Sequence, residues 1–156
     1  MIKTQEELIK IIDEQKSRGK KIVWTNGCFD LLHVGHVRYL QNAKKLGDLL
    51  IVGLNSDESI KKLKGPSRPL QPEDERAEIL SSLEFVDYVL IFPETSVENY
   101  LEMFKPDVFA KGGDYTLEKL NQSERKIVEG YGGKIALINL IEGKSTTNII
   151  NMLKNG

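Results

Sequence analysis

Apolar positions along this chain switch between two periods. Leu8, Ile11 and Ile12 recur at helical spacing behind Thr4 and Glu7, which fit a capping box, and Gly19 is a natural stop. That pattern predicts a helix over about residues 5–18. KIVWT (21–25) is a short β-branched run and predicts a strand. GHVRYLQNAKKL (35–46) predicts a helix closed by Gly47, and DLLIVGLN (48–55) a second, buried strand. The segment 55–72, rich in Lys, Gly and Pro from residue 61 onward, reads as a loop. Pro72 then suits the first turn of a helix through EDERAEILSSL. VDYVLIF (86–92), DVFAK (107–111) and KIALINL (134–140) predict three more strands. SVENYLEMF (96–104), residues 122–130 and STTNIINMLK (145–154) predict three more helices.

Strands alternating with helices imply right-handed βαβ units. The expected fold is therefore α/β, a doubly wound sheet of about five parallel strands with helices on both faces, forming one domain over 1–156. In such sheets ligands bind beyond the carboxyl ends of the strands, where strand order reverses. The loops to watch are 26–35, 55–72, 93–95, 111–120 and 141–145.

Composition narrows the class. Lys and Arg number 22 against 23 Asp and Glu, a formal net charge of -1, which argues against coating nucleic acid or an anionic membrane. A local phosphate pocket remains open. Cys28 has no second cysteine to pair with, the N-terminus does not resemble a signal peptide, and no apolar run has spanning length. A cytoplasmic protein is the expectation.

Both histidines of the chain, His33 and His36, flank Gly35 just after the first predicted strand. Asn26 and Gly27 end that strand and turn the chain, and Gly35 lets backbone approach a ligand closely. His36 falls in the first helical turn, where free N–H groups and the helix dipole favour an anion. Two imidazoles there can donate to phosphate oxygens and stabilise charge building on a phosphoryl group. The bland alternatives are a helix cap with a surface histidine, or half of a metal site, although no third His and no HExxH spacing supports a metal. No GxGxxG follows the first strand and no Walker GxxxxGK[ST] occurs, which disfavours nicotinamide and P-loop chemistry.

Other residues at the predicted binding edge carry their own alternatives. KGGDY (111–115) combines the charge of Lys111, the conformational freedom of Gly112 and Gly113, and an Asp114 that can accept from sugar or ribose hydroxyls; it can also be an ordinary turn. Arg76 can clamp a phosphate or pair with Glu73 or the glutamates of its own helix. Ser145, Thr146 and Thr147 stand at a helix start, where a cap and an anion site share one geometry.

The run GCFDLLHVGH resembles the GxFDxxHxGH signature of the HxGH nucleotidylyltransferases, with six spaced positions in the right strand–loop–helix context. The resemblance implies a Rossmann-like sheet, in agreement with the alternation above. It implies that Asn26, Gly27, Cys28, Phe29, Asp30 and Gly35 shape the nucleotide loop and that His33 and His36 hold the α- and β-phosphates. It further implies that lysines after the second strand, Lys61 and Lys64 ahead of Lys62, reach the triphosphate; an exposed charge run is the plain alternative. Arg76 matches an arginine the family keeps at a helix start, and Ser145, Thr146 and Thr147 match its phosphate-holding Ser/Thr cluster. Cys28 departs from the threonine common there, which removes a hydroxyl contact. Asp30 would orient a motif residue or help place a metal.

Within the superfamily, TNGCFDLLHVGH, VGLNSDESIKKLKGPSRPL, FVDYVLIF, DVFAKGGDY and GKSTTNII resemble the branch that makes ADP-heptose from ATP and D-glycero-D-manno-heptose 1-phosphate, over about residues 20–153. Cytidylyltransferases of the superfamily more often carry GTFD and an RTEGISTT-type run; here Ile141 precedes Glu142, so the arginine of that run is missing. The branch implies Mg²⁺ carried on the phosphates, a homo-oligomer, and a destination in lipopolysaccharide. The alternatives are glycerol-3-phosphate cytidylyltransferase or FAD synthetase-like activity, or a nucleotide-binding domain without turnover.

Overall fold

A computed structural model describes residues 1–113, 116–139 and 149–151. The elements run α1 (Gln5–Ser17), β1 (Ile22–Gly27), α2 (Val34–Lys44), β2 (Leu49–Asn55), α3 (Asp57–Lys64) and α4 (Glu73–Ser81). They continue β3 (Tyr88–Phe92), α5 (Glu98–Phe104), β4 (Val108–Gly112), α6 (Gln122–Gly130) and β5 (Lys134–Ile138). The Thr4–Glu7 capping box at the start of α1 is present in both directions, at 3.3 and 2.8 Å. Of the helix expected over 145–154, residues 149–151 are helical and the rest lies outside the described residues.

The five strands form one parallel sheet in the order β3-β2-β1-β4-β5. Alternate side chains of each strand feed opposite faces, as the pleat requires. Ile22 and Trp24 join Leu49 and Ile51 beneath α1, α5 and α6, packed with Leu8, Tyr100, Phe104 and Val128. Val23 and the other half of β2, Leu50, Val52 and Leu54, pack with Tyr39, Leu40 and Ala43 of α2 and Ala77 and Leu80 of α4. Trp24 stacks on Tyr100 at 6.1 Å between centroids, and a Cβ on Gly53 would stand 2.5 Å from the indole, so that strand position must stay bare. No helix among the described residues is long and apolar enough to cross a membrane.

One expectation fails. The segment 55–72 is not a continuous loop, because α3 occupies residues 57–64. Ser56 caps it by accepting from the Ser59 N–H at 3.1 Å, Asp57 and Glu58 fill the first turn, and lysines fill the last. Gly65 ends it at φ 94°, a conformation that suits glycine, and Ile60 is buried beneath it. A smaller shift concerns Pro72, which is the N-cap of α4 instead of its first helical residue.

Candidate functional site

Strand order reverses between β1 and β4, and the two strands pair only through Val23↔Val108 and Trp24↔Phe109. Their carboxyl ends then part. A cavity of about 200 Å³ opens there, lined by Asn26, Gly27, Cys28 and Phe29 of the signature loop, His36 and Tyr39 of α2, and Lys111 and Gly112 of β4. A larger depression of about 630 Å³ lies at the opposite, amino-terminal edge of the sheet, beside Lys21, Asp107 and Gly133. It contains no imidazole and lies away from the edge at which parallel sheets bind ligands.

The imidazoles are held by the helix start itself. His33 is the N-cap of α2, and its Nδ1 accepts from the Gly35 N–H at 3.1 Å. That acceptor role leaves the ring proton on Nε2. The His33 N–H points to Nδ1 of His36 at 3.4 Å, which closes a reciprocal cap, and the two rings stack with centroids 3.9 Å apart. Phe29 meets His36 edge-on at 5.3 Å; it is buried and holds φ 43°, a strained setting for a side-chain-bearing residue. A Cβ on Gly27 would meet the Phe29 ring at 3.0 Å. Burial first, then unfavourable electrostatics from His33 and Lys64, push the His36 pKa down to about 4 against a hydrogen bond with the Leu31 backbone. The ring is therefore neutral near pH 7.

Lys64 thus acts electrostatically on His36, and Lys61 lies one turn earlier on α3. Both are exposed, and neither has an ion pair among the described residues. Lys62 is committed elsewhere, 2.6 Å from Glu58 on the same helix.

Asp30 and Arg76 are spent on the frame. Asp30 is 2% exposed, accepts from the Leu70 and Gln71 N–H groups at 2.8 and 3.1 Å, and pairs with Arg68 at 2.6 Å. Burial alone would raise the Asp30 carboxyl, but the Gln71 and Leu70 amides and Arg68 outweigh it and hold its pKa below the usual range. Arg76 is 1% exposed and donates to the carbonyls of Cys28 (2.6 Å), Asn55 (2.9 Å) and Gln71 (2.9 Å) and to Asp57 (2.7 Å). It pairs with neither Glu73 nor its own helix's glutamates. Its four bonds tie the signature loop, the end of β2 and the first turn of α3 into one body. Glu73 assists by accepting from the Asp57 N–H at 2.6 Å.

Lys111 lies 3.1 Å from Glu124 of α6 and 3.5 Å from Oδ1 of Asn26, above the Phe109 ring. Gly112 ends β4, and Gly113 takes φ 134°. Asp114, Ser145, Thr146 and Thr147 lie outside the described residues. Sequence reasoning did not single out Tyr39, Asp57 or Glu124. An Asp in the first turn of a capped helix was a usable signal for Asp57, whereas nothing local marks the other two. No three His, Cys, Asp or Glu side chains among the described residues converge as a metal cage.

A strained aromatic and paired imidazoles thus stand at the switch point of a parallel α/β sheet, with the charge of Lys64 acting on them. Residues 24–151 match the family model described as cytidylyltransferase-like, and the chain belongs to that family. The bifunctional protein HldE of Syntrophotalea carbinolica is 53% identical over 152 residues, which cover 97% of this chain and 31% of that protein. HldE of Campylobacter fetus is 52% identical over 136 residues, covering 87% of this chain and 28% of that protein. The chain therefore spans under a third of the length of these curated relatives. Among solved structures, the lipopolysaccharide core biosynthesis protein from Thermoplasma volcanium is 29% identical with a TM-score of 0.64, over 81% of this chain and all of that one. Pantoate-beta-alanine ligase from Francisella tularensis, 16% identical over 99% of this chain and 77% of its own, shares the fold at the same TM-score.

Proposed function

We propose that this domain transfers an adenylyl group from ATP to a sugar 1-phosphate, D-glycero-D-manno-heptose 1-phosphate, giving ADP-heptose and pyrophosphate. The observation that carries the reading is the His33–His36 stack at the start of α2, at 3.9 Å, with the charge of Lys64 beside it. Family membership supports the nucleotidyl chemistry. The heptose acceptor is supported by KGGDY, by Cys28 in the signature and by the missing arginine before Glu142. The HldE relatives and the lipopolysaccharide core neighbour point the same way.

The second pKa of a phosphate monoester lies near 6, so at neutral pH the acceptor oxygen is already mostly ionised. It needs no general base. That oxygen attacks the α-phosphorus in line, the new O–P bond forms, and the bond to the β-phosphate oxygen breaks with its electrons leaving on pyrophosphate. Catalysis is positioning and charge stabilisation. The Nε2–H of His33 donates to the triphosphate, and the single N–H of the neutral His36 joins it by turning from the Leu31 backbone to a phosphate oxygen, while Lys61 and Lys64 offset charge on the departing pyrophosphate. Mg²⁺ enters with the triphosphate as part of the substrate, since both Asp30 oxygens are already engaged. Arg76 acts as a positioning residue and does not touch phosphate. Gly112, Gly113, Asp114, Ser145, Thr146 and Thr147 complete the nucleotide side. The reaction is assigned to the cytoplasm and to a homo-oligomer; a monomer in light scattering would remove the latter.

Pyrophosphate release across an acceptor-by-nucleotide panel tests the reading. Release only with a heptose 1-phosphate and ATP is expected. Turnover of glycerol 3-phosphate with CTP, of FMN with ATP, or of nothing at all would overturn the assignment.

A further inference from the structure

Beyond Trp24 and Phe109, β1 and β4 no longer exchange backbone bonds, and two side-chain rungs span the gap. The inner rung is Tyr39, whose hydroxyl donates to the Ala110 carbonyl at 3.0 Å and is joined to Thr25 Oγ1 at 2.6 Å. A phenol has one proton, so Thr25 must be the donor to Tyr39. Burial pushes the Tyr39 pKa up to about 12, so that proton stays. The outer rung is Lys111 against Oδ1 of Asn26 at 3.5 Å, with the cavity directly beyond it.

The outer rung depends on a residue outside the cavity. Glu124, in the first turn of α6, is 7% exposed and does not line the cavity, yet its Oε2 lies 3.1 Å from the Lys111 ammonium. The Phe109 ring sits under the same ammonium at 4.7 Å to its centroid. Three contacts from three elements thus fix one cation. Stability alone does not call for such a pair, because a buried ion pair is often no better than packed apolar residues. What the pair does is local: a cation on Oδ1 fixes which way the Asn26 amide faces, since only the oxygen can meet an ammonium.

We propose that Glu124 is a positioning residue, holding Lys111 against Asn26 so that the Asn26 amide presents its NH₂ donors to an oxygen of the nucleoside triphosphate in the cavity. The inference rests on the nucleotidyltransferase reading for its ligand, but not for the geometry of the rung. Glu124→Gln keeps the size and an acceptor oxygen while removing the charge that holds the ammonium. In the ligand-free protein this variant is expected to move the Asn26 side-chain NH₂ cross-peaks in a ¹⁵N spectrum. By calorimetry it weakens ATP about tenfold, the loss of about one charge-supported hydrogen bond. The loss falls on the KM for ATP, with kcat and the KM for the acceptor near wild type. Should the single variant fail to fold, Lys111→Met with Glu124→Gln leaves no buried charge unpaired and is expected to show the same weakening. Unmoved cross-peaks, or an ATP affinity within about twofold of wild type in the folded protein, would overturn the proposal. Wild-type protein that binds no ATP would instead sink the nucleotide reading, and the cross-peaks alone would then decide the positioning role.

Discussion

The cations around this site fall into two groups with opposite physics. Arg76 is buried and Lys111 half-buried, and both are held by partners, whereas Lys61 and Lys64 stand on α3 exposed and without ion pairs among the described residues. Charge taken from water must be paired where it sits, so the first group has been fixed by folding and serves as frame. Charge left in water retains its freedom and can be spent on a ligand. On the proposed function, the same chain thus separates holding the signature loop from meeting a polyanion. A cation's chemistry follows from its burial more than from its nearness to the motif.

The sharpest break in that contrast comes from the frame. Arg76→Met leaves Asp57 and three carbonyls without their donor, and a loss of about 3–5 kcal/mol in unfolding free energy is expected from urea titration. A variant as stable as wild type would show that Arg76 is not the tie between loop and helix. Next comes His36→Ala, which should lower kcat by about 10²–10³ while the far-ultraviolet dichroism is unchanged, a typical loss for one preorganised donor. Turnover within a few-fold of wild type would end the phosphate role of this ring.

The exposed group is expected to behave differently. Lys64→Ala should cost about tenfold in kcat/KM without changing the melting temperature, and raised salt should narrow the gap. Lys62→Ala, which removes a cation already matched to Glu58, is expected to stay within about twofold of wild type. Equal losses in the two variants would mean that α3 acts as a diffuse charge and not through its His36-facing lysine.

The smallest effect is a pH dependence of stability. An unfolded histidine titrates near 6.5, while His36 in the fold is pushed down to about 4. Between those values the unfolded chain binds the proton more readily, so stability falls as pH drops from about 6.5 towards about 4. Because the ring is only partly buried, the contribution is on the order of 1–2 kcal/mol after solvent screening. His36→Asn should flatten that segment of a melting-temperature profile; an unchanged slope would place the dependence on other groups.

Sequence pattern and structure part company in instructive places. The strands were legible because a sheet buried on both faces demands continuous apolar runs, as in LLIVGLN, all of it buried. Helix α3 was hidden behind its lysines, although Ser56, Asp57 and Gly65 supply its cap, first turn and stop. Charge and proline content in this stretch favour a loop, and the capping pattern outweighs them. The two histidines were legible because their spacing around Gly35 is short and local, so helix geometry alone stacks them. Arg76 was ambiguous for the opposite reason. Its partner Asp57 is 19 residues away, and only the packing of α4 against β2 brings them together.

By itself, then, the order of residues determined the alternation of strand and helix, the turn after β1 and the reciprocal cap between His33 and His36, because each depends on contacts within a few positions. Tertiary structure alone decided which charges are frame and which face solvent. It set Asp30 against Arg68, Leu70 and Gln71, parted β1 from β4, and brought Glu124 to Lys111. The physical reason is that pairing and desolvation depend on distance in space, which local pattern does not encode.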